Sequence, residues 1–243
     1  MKTGIQVSSF RPVLRTEEEV SFAFRQMAAM GCGYVQLQWI SPSVSAVHIA
    51  RCLKENGIQS AGVQDFYETV RSDRVYFIRV NMVTGGKWMC VSRIPERLRS
   101  PEGLKQFLRE MREFHRELEV MGQKLCFHPV SRDFEPIGEI QPVEWLLEEM
   151  PELFIAADLY HLNKCRDMIP WLEKYSGRVC MVHFKDENAA GELVPPGQGV
   201  VDFRGVADCC RRIGVEYAFA EQERWEGDPF LRLKEGFAWV RRQ

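Results

Sequence analysis

No stretch of the sequence reaches the roughly 18 apolar residues of a transmembrane helix. The start, Met1-Lys2-Thr3-Gly4-Ile5, enters a strand-like segment directly and lacks the apolar core of a signal peptide. None of the eight cysteines belongs to a Cys-x-x-Cys pair, which argues against a zinc knuckle. Most of them stand in apolar surroundings and read as buried thiols in a reducing cytoplasm, so no disulfide framework is expected. Charge of one sign is also missing: the net charge is −2 and the pI about 6.3, so no basic field favours nucleic acid. No Gly-x-Gly-x-x-Gly follows the first strand, which counts against an open doubly wound sheet binding a dinucleotide. Linkers, low-complexity tracts and charge runs are absent too. The expectation is one domain over residues 1–243, cytoplasmic, without membrane or nucleic acid as partner.

What is present is alternation. The 243 residues are 45% hydrophobic, ordinary for a globular chain long enough to enclose one large core. Short apolar runs at Ile5–Ser9, Tyr34–Leu37, Ile58–Val63, Lys87–Ser92, Lys124–Phe127, Leu153–Ala157, Val179–Val182 and Tyr217–Ala220 read as strands. Helical periodicity separates them. Thr16 opens a helix with a capping box and Gly31 stops it; Ser43 to Asn56 is a second helix, stopped by Gly57. The clearest runs from Pro101 to Met121, where Leu104, Phe107, Leu108, Met111, Phe114 and Leu118 recur at steps of three and four. Shorter helices follow at Pro142–Met150 and Met168–Tyr175, then from a cap at Asp202 to Ile213, and from Asp228-Pro229 to Val240.

One segment resists a simple reading. Val75 to Val80 has strong strand propensity, yet it stands only about 11 residues beyond the third strand, the minimum for a parallel crossover. Ser72-Asp73 is a good helix start and Gly85-Gly86 a good stop. The segment is therefore expected to be helical, with Trp88 to Val91 in the fourth strand. Eight strand-helix units in this length predict a closed α/β barrel.

In such a barrel the C-terminal strand ends converge on one mouth, where active sites collect. There stand His128 (fifth strand), Asp158 and His161 (sixth), His183 and Lys185 (seventh), and Glu221 and Glu223 (eighth). Carboxylates and imidazole together suit a divalent ion such as Mn²⁺, Mg²⁺, Co²⁺ or Zn²⁺. Trp39 and Phe10, at the exits of early strands, could wall the apolar face of a sugar. The loop Glu187–Val201 is long enough to close over the site.

At these residues the chain resembles the sugar phosphate isomerase/epimerase group of xylose-isomerase-like barrels. The likeness rests on His128-Pro129, Asp158-Leu159-Tyr160-His161, Val182-His183-Phe184-Lys185-Asp186, Gly197-Gln198-Gly199-Val200-Val201-Asp202-Phe203 and Ala220-Glu221. It implies a TIM barrel holding one divalent ion through a Glu, an Asp, a His and a second Glu. The Asp maps onto Asp158, the His onto His183 and the second Glu onto Glu221. The first Glu is where this chain departs: the fifth strand ends in His128-Pro129-Val130, with acids only at Asp133 and Glu135. The family's spacing implies Asp133 as the fourth ligand and second acid/base, with Glu135, or no carboxylate there at all, as the alternatives. Where relatives often carry Glu on the second strand, this chain has Gln36.

The resemblance implies a metal-dependent sugar or sugar phosphate isomerase or epimerase working through an enediolate. Glu221 would be the metal-bound acid/base, with His161 and Lys185 holding substrate oxygens and His128, Trp39 and Glu223 contacting substrate. A keto-polyol dehydratase is the alternative on the same barrel, and the missing first Glu motivates a non-catalytic sugar-binding barrel. An apurinic endonuclease would need more than the five histidines present and a basic face. The expected partner is a small sugar or sugar phosphate; a homodimer stays open as an assembly.

Overall fold

The computed structural model describes residues 1–225 and 227–243. Eight parallel strands close on themselves: β1 (Lys2–Gln6), β2 (Tyr34–Leu37), β3 (Gln59–Phe66), β4 (Trp88–Ser92), β5 (Lys124–His128), β6 (Phe154–Asp158), β7 (Val179–Phe184) and β8 (Tyr217–Ala220). Each pairs with its sequence neighbours, and β8 closes the ring on β1. Helices follow the strands on the outside, as the alternation requires. The ambiguous segment is helical, Arg74–Val83, with Asp73 capping it through the amide of Tyr76. β4 follows directly, as expected from the crossover length.

The core has two layers, as the alternation of strand side chains demands. Outward residues such as Val63, Val91 and Phe127 pack under the helices. Inward residues, among them Cys90, Cys126, Cys180, Met181 and Phe219, fill the barrel below the mouth. Gly62 allows the close passage of β3 against β4, because a Cβ there would lie 1.9 Å from the carbonyl oxygen of Trp88.

Two local expectations are corrected. β1 ends at Gln6 rather than Ser9, and Val7–Val13 forms a 3₁₀ turn. The turn is held from the other side of the barrel seam: Ser8 Oγ donates to Glu221 Oε1 and Ser9 Oγ accepts the amide of Gln222. Asp202 does not cap a helix. Its carboxylate pairs with Arg204, and the helix begins only at Val206 after Gly205.

Candidate functional site

Strand register brings the site together. Asp158 lies opposite His183 on β6 and β7, and Ser92 opposite His128 on β4 and β5. Glu221 follows β8, its amide donating to the carbonyl of Phe184. His128, Asp158, His183 and Glu221 each offer one ligand atom, and these atoms lie within 4.8 Å of one another. All four side chains are buried.

Each is held by its other polar atom. Nδ1 of His128 meets Ser92 Oγ at 3.1 Å. Asp158 Oδ1 accepts the amides of Tyr160 and His161, which start a short helix at Leu159–Asn163. His183 Nε2 lies 2.6 Å from Gln36 Oε1, and Glu221 Oε1 accepts from Ser8. The remaining atoms, His128 Nε2, Asp158 Oδ2, His183 Nδ1 and Glu221 Oε2, are buried with no hydrogen-bond partner among the described residues. Nδ1 of His183 faces Oε2 of Glu221 at 3.0 Å. Four converging orphan atoms, two imidazole and two carboxylate, make a donor set that a divalent cation would satisfy.

Electrostatics agree with that fit. Burial, with His183 adding to it, pushes His128 down to about 3, so the ring is neutral and free to offer a lone pair. Burial alone would raise Glu221, but Lys185 and His183 outweigh it and hold the carboxylate well below its usual range. Burial likewise opposes the charge on Lys185, and here Glu221, Asp158 and Glu223 prevail and keep it an ammonium.

The structure brings most of the sequence-derived residues to the mouth. Lys185 Nζ is 3.9 Å from Asp158 Oδ2 and is hydrogen-bonded to Glu223. His161 places Nε2 3.8 Å from Asp158 Oδ2, with Nδ1 2.8 Å from Ser131 Oγ. Lys185, His161 and Glu223 line a cavity of about 750 Å³ with Tyr160, Gln222 and Trp225. Such a volume is within the range of small-molecule sites.

Four residues lie elsewhere. Asp133, expected to ligate the ion, is turned away from the group of four. Its oxygens accept the amides of Ile94 (3.0 Å) and Val130 (2.8 Å), and Arg99 sits 3.8 Å off. The carboxylate pins the loop after β5 instead. Glu135 is exposed and faces Arg99 and Arg132. Phe10 walls no sugar: it is fully buried and stacked on Phe230 at 4.5 Å. Trp39 lines a separate cavity of about 320 Å³ over the exits of β2 and β3. Sequence reasoning placed His128 against substrate, whereas the structure seats it in the group of four. It gave no role to Ser8, Ser92 and Gln36, which aim the group, or to Ser131, which meets His161. Their one sequence signal was polarity within apolar strands or at their exits.

A family model described as xylose isomerase-like TIM barrel matches residues 18–243. A sugar phosphate isomerase/epimerase of Parabacteroides distasonis superposes with a TM-score of 0.81 at 14% identity, covering 98% of this chain and 93% of its own. The 3-keto-D-glucoside 4-epimerase of E. coli aligns over 100% of both chains at 20% identity, with a TM-score of 0.75. A probable 3-DHS dehydratase of Bacillus anthracis covers 99% of both at 15% identity and a TM-score of 0.70. No curated protein matches the chain by sequence. At these identities the solved structures speak for the fold.

Proposed function

Because the chain belongs to the xylose isomerase-like TIM-barrel family, we propose that it is a divalent-metal-dependent isomerase or epimerase of a sugar or sugar phosphate. The observation that carries this reading is the convergence of four buried, unpartnered donor atoms from His128, Asp158, His183 and Glu221 at the barrel mouth. These four would hold the ion. When bound, a divalent ion there supplies Lewis acidity toward adjacent carbonyl and hydroxyl oxygens of a sugar.

The chain's own groups supply the rest. Glu221 is the acid/base: with Oε2 in the group of four, Oε1, oriented by the hydroxyl of Ser8, accepts a proton from carbon and returns it. Lys185, held cationic by the carboxylates around it, donates to the substrate oxygen on which negative charge develops. Burial lowers His161 despite the pull of Asp158, so it binds a substrate hydroxyl as a neutral imidazole. The cavity lined by Lys185, His161 and Glu223 takes the body of the sugar.

A second reading, dehydration of a keto-polyol, is favoured by one observation. Asp133 and Glu135 both lie away from the group of four, which suits chemistry with a single base. Proton exchange separates the readings. Candidate ketoses incubated with protein and Mn²⁺ or Zn²⁺ in deuterated water should gain deuterium at one carbon by NMR, with an epimer or isomer following. A C=C–OH product or its keto form would favour dehydration. Absence of exchange across hexuloses, pentuloses and their phosphates would sink both.

A further inference from the structure

His183 turns its two ring nitrogens toward different surroundings. Nδ1 faces Glu221 in the group of four, while Nε2 lies 2.6 Å from Gln36 Oε1. A neutral imidazole carries one ring proton, so whichever nitrogen donates leaves the other as the lone pair. Glu221 Oε2 and Gln36 Oε1 each offer an acceptor, and once a cation takes the Nδ1 lone pair the orientation of the Gln36 amide decides whether Nε2 keeps its partner.

That orientation is coupled to three further glutamines. Gln6 Nε2 donates to Gln36 Oε1 at 2.9 Å, Gln36 Nε2 donates to Gln64 Oε1 at 3.0 Å, and Gln64 Nε2 donates to Gln38 Oε1 at 3.2 Å. All four side chains are buried. Turning over the Gln36 amide would set its NH₂ against that of Gln6 and its oxygen against that of Gln64. Two buried hydrogen bonds would become two repulsions. Backbone register builds the chain of amides. Gln6 and Gln36 are direct partners on β1 and β2, and the register of β2 against β3 shifts between Val35 and Gln36. A shift of that kind re-aims the side chain at the bulge.

We infer that Gln36 is a positioning residue for the group of four. By accepting the Nε2–H of His183 it selects the tautomer whose Nδ1 lone pair points at the centre. This rests on the reading of that group as a cation site. A neutral amide in this position also suits the charge: two carboxylates among the four donors balance one divalent ion, and a third beside them would leave an excess.

The test reads the tautomer directly. Protein carrying ¹⁵N-histidine gives long-range ¹H–¹⁵N spectra at pH 8, metal-free and loaded with zinc alone, with His183 assigned from a His183→Gln sample. Wild type and Gln36→Glu, which keeps an acceptor, should both show Nε2–H. Gln36→Leu should lose that preference, and its zinc affinity against a competing chelator should fall about 10–100-fold. Gln36→Glu should bind zinc at least as tightly as wild type. An Nδ1–H signal in zinc-loaded wild type overturns the inference, as does wild-type zinc affinity in Gln36→Leu. Should Gln36→Leu not fold, the double variant Gln6→Leu/Gln64→Leu removes both amides that hold Gln36, and an unchanged tautomer there overturns the amide chain as its cause. A wild type that binds no zinc sinks the cation reading instead, and the metal-free spectra still decide whether Gln36 sets the proton.

Discussion

Oδ2 of Asp186 accepts the backbone amide of Gly199 at 2.9 Å, thirteen residues along the chain. The same carboxylate accepts the amides of Glu187, Gly197 and Val201, so four donors end on one buried side chain. A Cβ at Gly199 would come within 2.3 Å of Asp186 Oδ1, which is why glycine stands there. The loop that forms one wall of the 750 Å³ cavity is therefore tied down at its base.

Asp186→Asn should release that loop. An amide keeps one acceptor but sets an NH₂ against the donors on the other side. The expected loss is on the order of 3 kcal/mol of stability, together with faster proteolytic cleavage within residues 187–201. Urea unfolding and limited proteolysis read by mass spectrometry check both. Unchanged cleavage would mean that the loop is held by other contacts.

The proposed ligand set distinguishes His128 from Asp133. His128→Ala should weaken divalent-ion binding about tenfold or more, the scale on which loss of even an indirect partner acts. Asp133→Asn should leave binding within about threefold while lowering stability, since its oxygens serve backbone amides. Chelator competition on both variants decides the matter, and the reverse ranking would return Asp133 to the centre.

Burial pushes the Asp133 carboxyl up to about 6, against two backbone amides and Arg99, which pull it down. Its folded value lies above its unfolded one near 3.9, so the native state binds the proton more tightly. This contribution to stability is complete below about pH 4 and is lost as pH climbs through about 6. Wild type minus Asp133→Asn, measured by urea unfolding from pH 4 to pH 7, should therefore shrink by up to about 3 kcal/mol. A flat difference would show that the amides dominate.

Seven of the eight cysteines are buried, Cys165 alone being partly exposed. Burial raises the Cys126 and Cys180 thiols well above their usual range inside the barrel. Ellman's reagent should thus titrate about one thiol per native chain and all eight after unfolding. Rapid reaction of several native thiols would contradict a tightly filled barrel.

Much of this architecture is legible in the order of residues. Apolar runs of four to six residues, helix starts such as Thr16 and Asp73, and stops such as Gly31 and Gly85 are local signals. They act through backbone geometry within a few residues of themselves. That is why the helix at Arg74–Val83 and the strand after it could be placed despite a β-rich segment. The polar strand ends Asp158, His183 and Glu221 were legible for the same reason: a ligand-type residue where an apolar run stops is visible in one dimension.

The barrel and the polar face at its mouth follow from periodicity and chain length alone. Which polar atoms stay free depends on how the folded elements meet. Asp133 was expected at the ion and His128 against substrate, until backbone amides closed around the one carboxylate and left one imidazole nitrogen bare. Gln36 acquired its part in the same way, from Gln6 on the strand beside it, Gln64 on the next and His183 across the barrel. Hydrogen-bond satisfaction is a property of three-dimensional neighbours, which for Ser8 and Glu221 stand 213 residues apart, and no spacing along the chain records it.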